Sequence, residues 1–184
     1  IGLCSDIDYI RSPKKRILFQ FLIIFFYLYT TKNFFSDLRI EYINQILENN
    51  FYAILLNIFC FLVLVNGTNL IDGVNCSTIG YFLIISIILL TIQKEFNIEL
   101  NNNLLQTLLI ILSLLFFFNL FGKLYLGDGG SYLISFIFGS ILIDISNLNF
   151  QISPYFIMCL LWYPAFENLF SIIRKSFYNL SFED

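Results

Sequence analysis

Residues 51–75, FYAILLNIFCFLVLVNGTNLIDGVN, join a long apolar run to a compact polar segment. The run lacks the regular alternation of polar and apolar residues that marks a half-buried strand, so it predicts a buried helix. Asn66, Asn69, Asp72 and Asn75 then follow at every third position. A carboxylate and three amides are costly in so apolar a chain unless they bind something. The stretch therefore predicts a membrane helix that ends in a binding site.

The composition of the whole chain is that of an integral membrane protein. Of its 184 residues, 58% are hydrophobic and 12% are charged, and the mean hydropathy is +0.79. Soluble domains carry about 25% charged residues. With their flanks, the apolar runs approach the roughly 17 to 25 residues of a spanning helix, and they lie at 17–31, 51–65, 78–92, 104–121, 131–146 and 155–173. We predict an all-α, polytopic membrane helix bundle of about six transmembrane helices, forming one integral membrane domain over residues 1–184.

The two ends of the chain suggest part of a larger bundle. The sequence begins with Ile1 and ends at Asp184, just beyond an apolar run. No charged segment followed by a short apolar segment, as in a signal peptide, opens the chain. We expect truncation at both ends.

Cysteine, histidine and net charge exclude several classes of site. The four cysteines show no CxxC spacing and histidine is absent, so neither a zinc site nor a disulfide framework is indicated. A net charge of -3 gives no reason to expect nucleic acid as a partner.

Six spans in series place alternate polar segments on the same side of the membrane. One side receives the segments 1–16, 66–77, 122–130 and 174–184. Basic residues concentrate there: Arg11, Lys14, Lys15, Arg16, Lys123, Arg174 and Lys175, against Lys32, Arg39 and Lys94 on the other side. The positive-inside rule makes this side cytoplasmic. We expect its polar segments to meet, in a place suited to a soluble charged substrate and a lipid one.

The polar segment 66–75 has two readings. On a helix, residues three apart are neighbours, so its Asn and Asp side chains form a row that can wrap a ligand. Gly67 and Gly73 let the backbone approach that ligand closely. The alternative is a hydrated loop with helix caps, and we favour the binding site because the spacing is so regular.

A second polar segment, LYLGDGGSYL at 124–133, surrounds Asp128 with three glycines. Exposed backbone N–H groups at a helix start, beside a carboxylate, suit a phosphate oxygen together with a metal. Mg²⁺ prefers one or two carboxylates with substrate phosphates and waters. A turn with Ser131 as the helix cap explains the spacing equally well. In the opening segment, GLCSDIDYIRSPKKRILFQ at 2–20, Asp6 is the better candidate for chemistry, whereas the basic cluster serves topology.

Together the three segments resemble the polyprenyl-phosphate N-acetylhexosamine-1-phosphate transferases, glycosyltransferase family 4. This family includes the phospho-N-acetylmuramoyl-pentapeptide transferase of peptidoglycan synthesis and the enzymes that start O-antigen assembly. NGTNLIDGVN at 66–75 is similar to the motif NxxNxxDGxN/D, LYLGDGGS at 124–131 to FMGDxGS, and 2–20 to GxxDD…SPxxR…Q. The resemblance spans nearly the whole chain.

The resemblance implies a reaction and its location. A sugar 1-phosphate of the N-acetylhexosamine type passes from a UDP-sugar to undecaprenyl phosphate, and UMP is released. The site would face the cytoplasm at the inner (plasma) membrane of a bacterium. The reaction would begin cell-wall or surface-polysaccharide assembly, lipopolysaccharide included. Homo-oligomerisation stays open.

The resemblance also implies roles for residues and a cofactor. Asp6, Asp72 and Asp128 would be catalytic, and Asp128 and Asp72 would hold Mg²⁺, with Mn²⁺ as the alternative ion. The implied substrate-binding residues are Asn66, Asn69, Gly73, Asn75, Gly127, Gly129 and Ser131.

Two positions depart from the family pattern. Ser5 stands where the family has the first Asp of an Asp-Asp pair, and Cys76 stands where a glycine follows DGxN. The family's early helices and its His-rich loop have no counterpart in this sequence. A non-catalytic remnant therefore remains an alternative, as does a multi-helix transporter, which predicts mid-membrane binding residues and inverted repeats.

Overall fold

The computed structural model describes residues 1–7, 9–10, 12–96 and 102–178. The structure is 80% helical, with no strand in these ranges. The helices described are α1 (Gly2–Asp6), α2 (Pro13–Thr31), α3 (Glu41–Leu47), α4 (Asn50–Ile71), α5 (Ser77–Phe96), α6 (Asn102–Leu120), α7 (Gly127–Leu148), α8 (Pro154–Leu160) and α9 (Trp162–Phe177). Arg11 of the basic cluster, and 179–184 of the last polar segment, lie outside the described residues.

Among the described residues, four helices are long and apolar enough to cross a membrane, namely α4, α5, α6 and α7. The bent pair α8 and α9 would make a fifth. These helices confirm the prediction of an all-α polytopic bundle. The run 17–31 lies within α2, whose first turn holds Lys14, Lys15 and Arg16. Those charges leave α2 a shorter apolar length than the other spans have.

α2 nevertheless extends along α7 from one end to near the other. At one end Arg16 donates a hydrogen bond of 2.9 Å to Asp128. At the other end Asn33, just after α2, donates one of 2.7 Å to Asp144. Asp128 and Asp144 lie near opposite ends of α7. A membrane that α7 crosses is therefore crossed by α2 as well.

The last apolar run, 155–173, forms two helices instead of one kinked helix. α8 ends at Leu160 and α9 begins at Trp162, with an angle of 61° between them. Pro164 explains the break, because a proline ring displaces the carbonyl four residues earlier, here that of Leu160. The Tyr81 hydroxyl donates a hydrogen bond to this freed oxygen. The Leu160 carbonyl therefore has a hydrogen-bond partner inside the bundle.

α4 lies at the centre and packs against α2, α7 and α9. It approaches α9 closely at Gly67, where any Cβ would overlap the backbone of Pro164. The apolar core includes Phe61 and Leu64 of α4 and Phe138 of α7. This packing holds the polar end of α4 close to the first turns of α7 and α9.

The opposite end of the bundle is fastened by Asn57, which is only 1% exposed within α4. Its side-chain oxygen accepts a hydrogen bond of 3.0 Å from the Phe35 N–H, and its amide donates one of 3.1 Å to the Phe35 carbonyl. The connection between α2 and α3 is thereby bound to α4. Asn57 lies within the apolar run 51–65, and none of the six apolar runs covers α3.

Candidate functional site

Asp128, in the first turn of α7, is the centre of a polar cluster. The Ser5 hydroxyl donates a hydrogen bond of 2.6 Å to Asp128 Oδ2. Arg16 Nη1 donates to the same carboxylate oxygen at 2.9 Å and to Ser5 Oγ at 3.0 Å. These three side chains join α1, α2 and α7. They confirm that the opening segment and the GDGGS segment meet at one end of the bundle.

The Asp6 carboxylate covers the N-terminus of α7. Its two oxygens accept hydrogen bonds of 2.9 and 3.0 Å from the N–H groups of Asp128 and Gly129. Gly127 has φ +64°, and a Cβ there would lie 3.2 Å from both Asp6 oxygens. We expected these N–H groups to be exposed to a phosphate, but the chain supplies its own anion, which a helix N-terminus favours. Asp6 thereby fixes the backbone that carries Asp128.

α1 and α7 touch backbone to backbone at two glycines. Gly2 is buried, and a Cβ on it would overlap the Cα of Gly129. A Cβ on Gly129 would lie 3.1 Å from Asp6 Oδ2. Gly129 is therefore needed for the contact that brings Asp6 and Ser5 to Asp128.

Asn69 and Asn66 connect the end of α4 to its neighbours. The Ser131 hydroxyl, fully buried, donates a hydrogen bond of 2.9 Å to Asn69 Oδ1. Asn66 Nδ2 donates to Gln20 Oε1 at 2.9 Å and to the Leu62 carbonyl at 2.8 Å. The predicted residues Asn66, Asn69 and Ser131 thus tie α2, α4 and α7 together beside Asp128.

The polar row of 66–75 leaves the helix after its second amide. α4 ends at Ile71, Asp72 is its C-cap, and Gly73 and Asn75 lie exposed in the following turn. Asn75 is therefore not in helical register with the other members of the row. The structure brings Asp72 towards the site and places Gly73 and Asn75 at its solvent edge.

Cys76 occupies a backbone conformation that suits glycine. Its φ is +67°, in the left-handed region that residues with a Cβ rarely adopt. The Cys76 N–H donates a hydrogen bond of 2.5 Å to Asn119 Oδ1, and the Asn119 amide donates to the Leu124 carbonyl at 2.6 Å. Asn119 thus holds the turn at Cys76 against the connection between α6 and α7.

Asp72 carries the perturbed carboxyl group of the site. Its pKa is raised to about 6, chiefly by burial, while a hydrogen bond with Thr78 opposes the rise and the charges of Asp128 and Asp6 add to it. The three carboxylates therefore interact electrostatically, and Arg16 forms an ion pair with one of them, Asp128. The arrangement favours any ligand that brings further positive charge.

The described residues include no three acidic, cysteine or histidine side chains that converge on a common metal position. Mg²⁺ does not require such a set, because it binds one or two carboxylates together with substrate phosphates and waters. Ser5 and Arg16 both donate hydrogen bonds to Asp128 Oδ2. Asp128 and Asp72, with its raised pKa, fit an ion shared with a phosphate better than a closed protein site.

An apolar cleft of about 330 Å³ opens beside the cluster, between α1, α2 and α7. Its walls change from polar to apolar away from Asp128: Gln20 and then Ile23 and Ile24 on α2, and Tyr132 and then Leu133 and Phe136 on α7. A molecule with a polar head and an apolar chain fits this gradient, with its head towards Asp128.

Three residues of the site have no predicted site role. Arg16 and Gln20 match the R and Q of the motif SPxxR…Q, and Ser5 stands at a departure from the family pattern. Arg16 and Gln20 lie one turn apart on the same face of α2. Polar side chains on one face of a membrane helix are themselves a signal of function, which could have identified them.

Comparisons with known proteins agree with this geometry. Searches of curated proteins and of solved structures give no match, whereas the model of glycosyl transferase family 4 matches residues 1–146. The match confirms the predicted family and implies a membrane glycosyl-1-phosphate transferase that uses a nucleotide-sugar and a lipid-linked acceptor. Since the matched region covers most of the chain and all three polar segments, this protein belongs to glycosyl transferase family 4.

Proposed function

We propose that this protein transfers an N-acetylhexosamine 1-phosphate from a UDP-sugar to undecaprenyl phosphate and releases UMP. The observation that carries the proposal is the apolar cleft that opens beside Asp128. An enzyme that joins a water-soluble nucleotide to a membrane lipid needs a polar and an apolar surface at one point. The cleft and the cluster around Asp128 supply both.

The reaction is a displacement at phosphorus. An oxygen of the lipid phosphate attacks the β-phosphorus of the UDP-sugar, and the bond from that phosphorus to the oxygen shared with the α-phosphorus breaks. UMP leaves with the electron pair, and a lipid-linked sugar pyrophosphate remains. A phosphate monoester has its second pKa near 6, so the acceptor needs little help in losing a proton. The main task of the protein is to position two anions and balance their charge.

The residues around Asp128 suit that task. Asp72 and Asp128 would hold Mg²⁺, or Mn²⁺ in its place, which when bound neutralises charge on the transferring group. Arg16 offers guanidinium N–H groups to phosphate oxygens next to Asp128. Asp6 acts as an organiser, because its two backbone hydrogen bonds fix the first turn of α7.

The nucleotide-sugar would approach from the turn after α4. Gly73 and Asn75 are exposed there, next to Asp72. Asn66, Asn69 and Ser131 support this edge from within the bundle, since their hydrogen bonds hold the three helix ends together. Gly127 and Gly129 keep α7 close enough to α1 for the contact with Asp6.

We place the site at the cytoplasmic face of a bacterial plasma membrane. The excess of Lys and Arg at this end of the bundle supports that orientation. UDP-sugars are also made in the cytoplasm. The product would start cell-wall or surface-polysaccharide assembly, as in the O-antigen of lipopolysaccharide.

A transfer assay tests this proposal. Membranes containing the full-length protein are incubated with radiolabelled UDP-N-acetylglucosamine and undecaprenyl phosphate, with Mg²⁺ or with EDTA. We expect labelled lipid with Mg²⁺ and none with EDTA, and Mn²⁺ should restore activity in part. Absence of labelled lipid with every UDP-N-acetylhexosamine tried would favour a non-catalytic remnant.

A further inference from the structure

Gln20 lies in the apolar cleft with an unused hydrogen-bond donor. The residue is 3% exposed. Its Nε2 has no hydrogen-bond partner among the described residues. Leaving a buried amide donor unpaired is destabilising. Such a donor in the wall of a cleft indicates an acceptor atom on a bound molecule.

The hydrogen bonds around Asn66 set the orientation of the Gln20 amide. The Leu62 carbonyl can only accept, so the Asn66 side chain must present its NH₂ group to it, at 2.8 Å. The same NH₂ group donates to Gln20 Oε1 at 2.9 Å. Gln20 must therefore turn its oxygen towards Asn66. Its own NH₂ group is left without an acceptor, in a residue that lines the cleft.

The surroundings of Gln20 identify the kind of acceptor atom. One turn towards the cluster, Arg16 pairs with Asp128. The Tyr132 side chain lies near both Arg16 and Gln20, without a hydrogen bond to Gln20 Nε2. One turn in the other direction, Ile23 and Ile24 begin the apolar wall. Gln20 thus stands at the boundary between the charged and apolar parts of the cleft, where the head of an amphiphile would lie.

We infer that Gln20 Nε2 donates a hydrogen bond to a phosphate oxygen of the acceptor lipid, and so selects a polyprenyl monophosphate over the corresponding alcohol. This inference rests on the proposed function, because it assumes that the cleft holds the acceptor. Asn66 is the positioning residue, since it acts on the lipid through the Gln20 amide. The hydrogen bond to an anionic oxygen is of the stronger, charge-assisted kind.

Direct lipid binding tests the inference independently of turnover. The full-length protein is placed in nanodiscs, and the affinities for a polyprenyl monophosphate and for the matching polyprenol are measured at pH 8. In Gln20→Met, which keeps the side-chain length without the donor, we expect monophosphate affinity to fall about tenfold or more. Polyprenol affinity should change less than about twofold. Gln45→Met, an exposed site on α3 at the other end of the bundle, is the matched control and should leave both affinities unchanged.

A second variant guards against misfolding. Gln20→Glu keeps an oxygen that can accept from Asn66 and replaces the amide NH₂ group by a second carboxylate oxygen. The preference for the monophosphate should therefore again be lost. In variants that retain some transfer activity, the KM for the lipid should rise while the KM for the UDP-sugar stays constant. An unchanged preference for monophosphate in both variants would overturn the inference. A preference that depends on Gln20 in a protein without any transfer activity would support it and contradict the proposed function instead.

Discussion

At the scale of single residues, the site is a set of three carboxylates, and among the described residues Arg16 forms an ion pair with one of them, Asp128. Asp128 has Arg16 and Ser5 as partners, and Asp6 has two backbone N–H groups. Asp72 has the raised pKa. These environments differ enough to give the three acids different tasks. Asp6 holds the backbone, and we propose that Asp128 and Asp72 act on the ligand.

Asp128→Asn should remove transfer activity without loss of the protein from the membrane. The amide cannot supply the negative charge for a cation or for Arg16, so we expect the rate to fall by about 100-fold or more. Initial rates in membranes, normalised to the amount of inserted protein, measure the effect. Asp144→Asn, at the opposite end of α7, is the control and should keep its rate. Near-normal transfer by Asp128→Asn would refute the assignment.

Asp72→Asn should stabilise the protein at neutral pH. Since folding raises the pKa of Asp72 to about 6, the ionised carboxyl group destabilises the folded state above pH 6, and this cost disappears as the pH falls towards the ordinary value of 3.8. After allowance for partial exposure, the gain at pH 7.5 is of the order of 1 kcal/mol. Thermal unfolding in detergent with EDTA should show a higher Tm at pH 7.5 and no difference at pH 4.

Asp37, at the other end of the bundle, provides a control whose pKa is shifted in the opposite direction. Hydrogen bonds from the Arg39 N–H and the Asn44 amide lower the pKa of Asp37. Its ionised form therefore stabilises the fold above the ordinary pKa, and Asp37→Asn should lower Tm at pH 7.5. A lower Tm for Asp72→Asn at pH 7.5 would show that the ionised Asp72 carboxylate does not destabilise the folded state.

At this scale the sequence identified the acids but not what they contact. Asp6, Asp72 and Asp128 stood out because a carboxylate beside glycines is rare in so apolar a chain. The two N–H groups that Asp6 accepts from lie more than a hundred residues away, and no local pattern reports such a contact. Ser5 appeared only as a lost acid, although its hydroxyl is bonded to Asp128.

At the scale of helices, glycine and asparagine govern how the elements fit. Gly67 lets α4 touch α9 at Pro164, and Asn57 ties α4 to the connection after α2. The length and apolar composition of the runs predicted the spans well, because an apolar run of this length has few alternatives. The break between α8 and α9 lies about one turn before Pro164 in the chain, because the proline ring displaces the carbonyl of Leu160.

Gly67→Ala should separate α4 from α9. A methyl group would overlap the Pro164 backbone, which cannot rotate away as a side chain can. We expect a loss of about 1 to 3 kcal/mol, measured as a lower unfolding temperature in detergent. In Gly73→Ala the new methyl group would lie 3.8 Å from its nearest neighbour, so this control should unfold as the wild type does. Equal stability of Gly67→Ala and wild type would disprove the close crossing.

Asn57→Leu should release the connection between α2 and α3. The Phe35 N–H and carbonyl would both lose their partner inside the bundle, at a cost of about 2 kcal/mol or more. Limited proteolysis of residues 32–40 in detergent should become faster. The exposed Asn49, which caps α4 through Phe51, supplies the control Asn49→Ser, which keeps a capping oxygen and should not change the cleavage rate. Cleavage of Asn57→Leu at the wild-type rate would contradict the anchoring role.

At the scale of the whole molecule, the polar cluster around Asp128 lies at one end of the bundle, and the contact between Asn33 and Asp144 lies at the other end. α2 and α7 run side by side between Arg16 with Asp128 and Asn33 with Asp144. The apolar cleft lies between these two helices at the end that holds Asp128. Alternation of spans predicted that the polar segments would share this end. The cleft could not be predicted, because it depends on how α1, α2 and α7 are spaced.

The central claim is that the phosphate bonded to the sugar travels with it to the lipid. A UDP-N-acetylhexosamine labelled with ³²P at the β-phosphorus and with ³H in the sugar tests this directly in membranes that contain the full-length protein. Our account predicts that both labels enter the lipid in equal molar amounts and that the released nucleotide is UMP. Lipid that carries ³H without ³²P, with release of UDP, would contradict it.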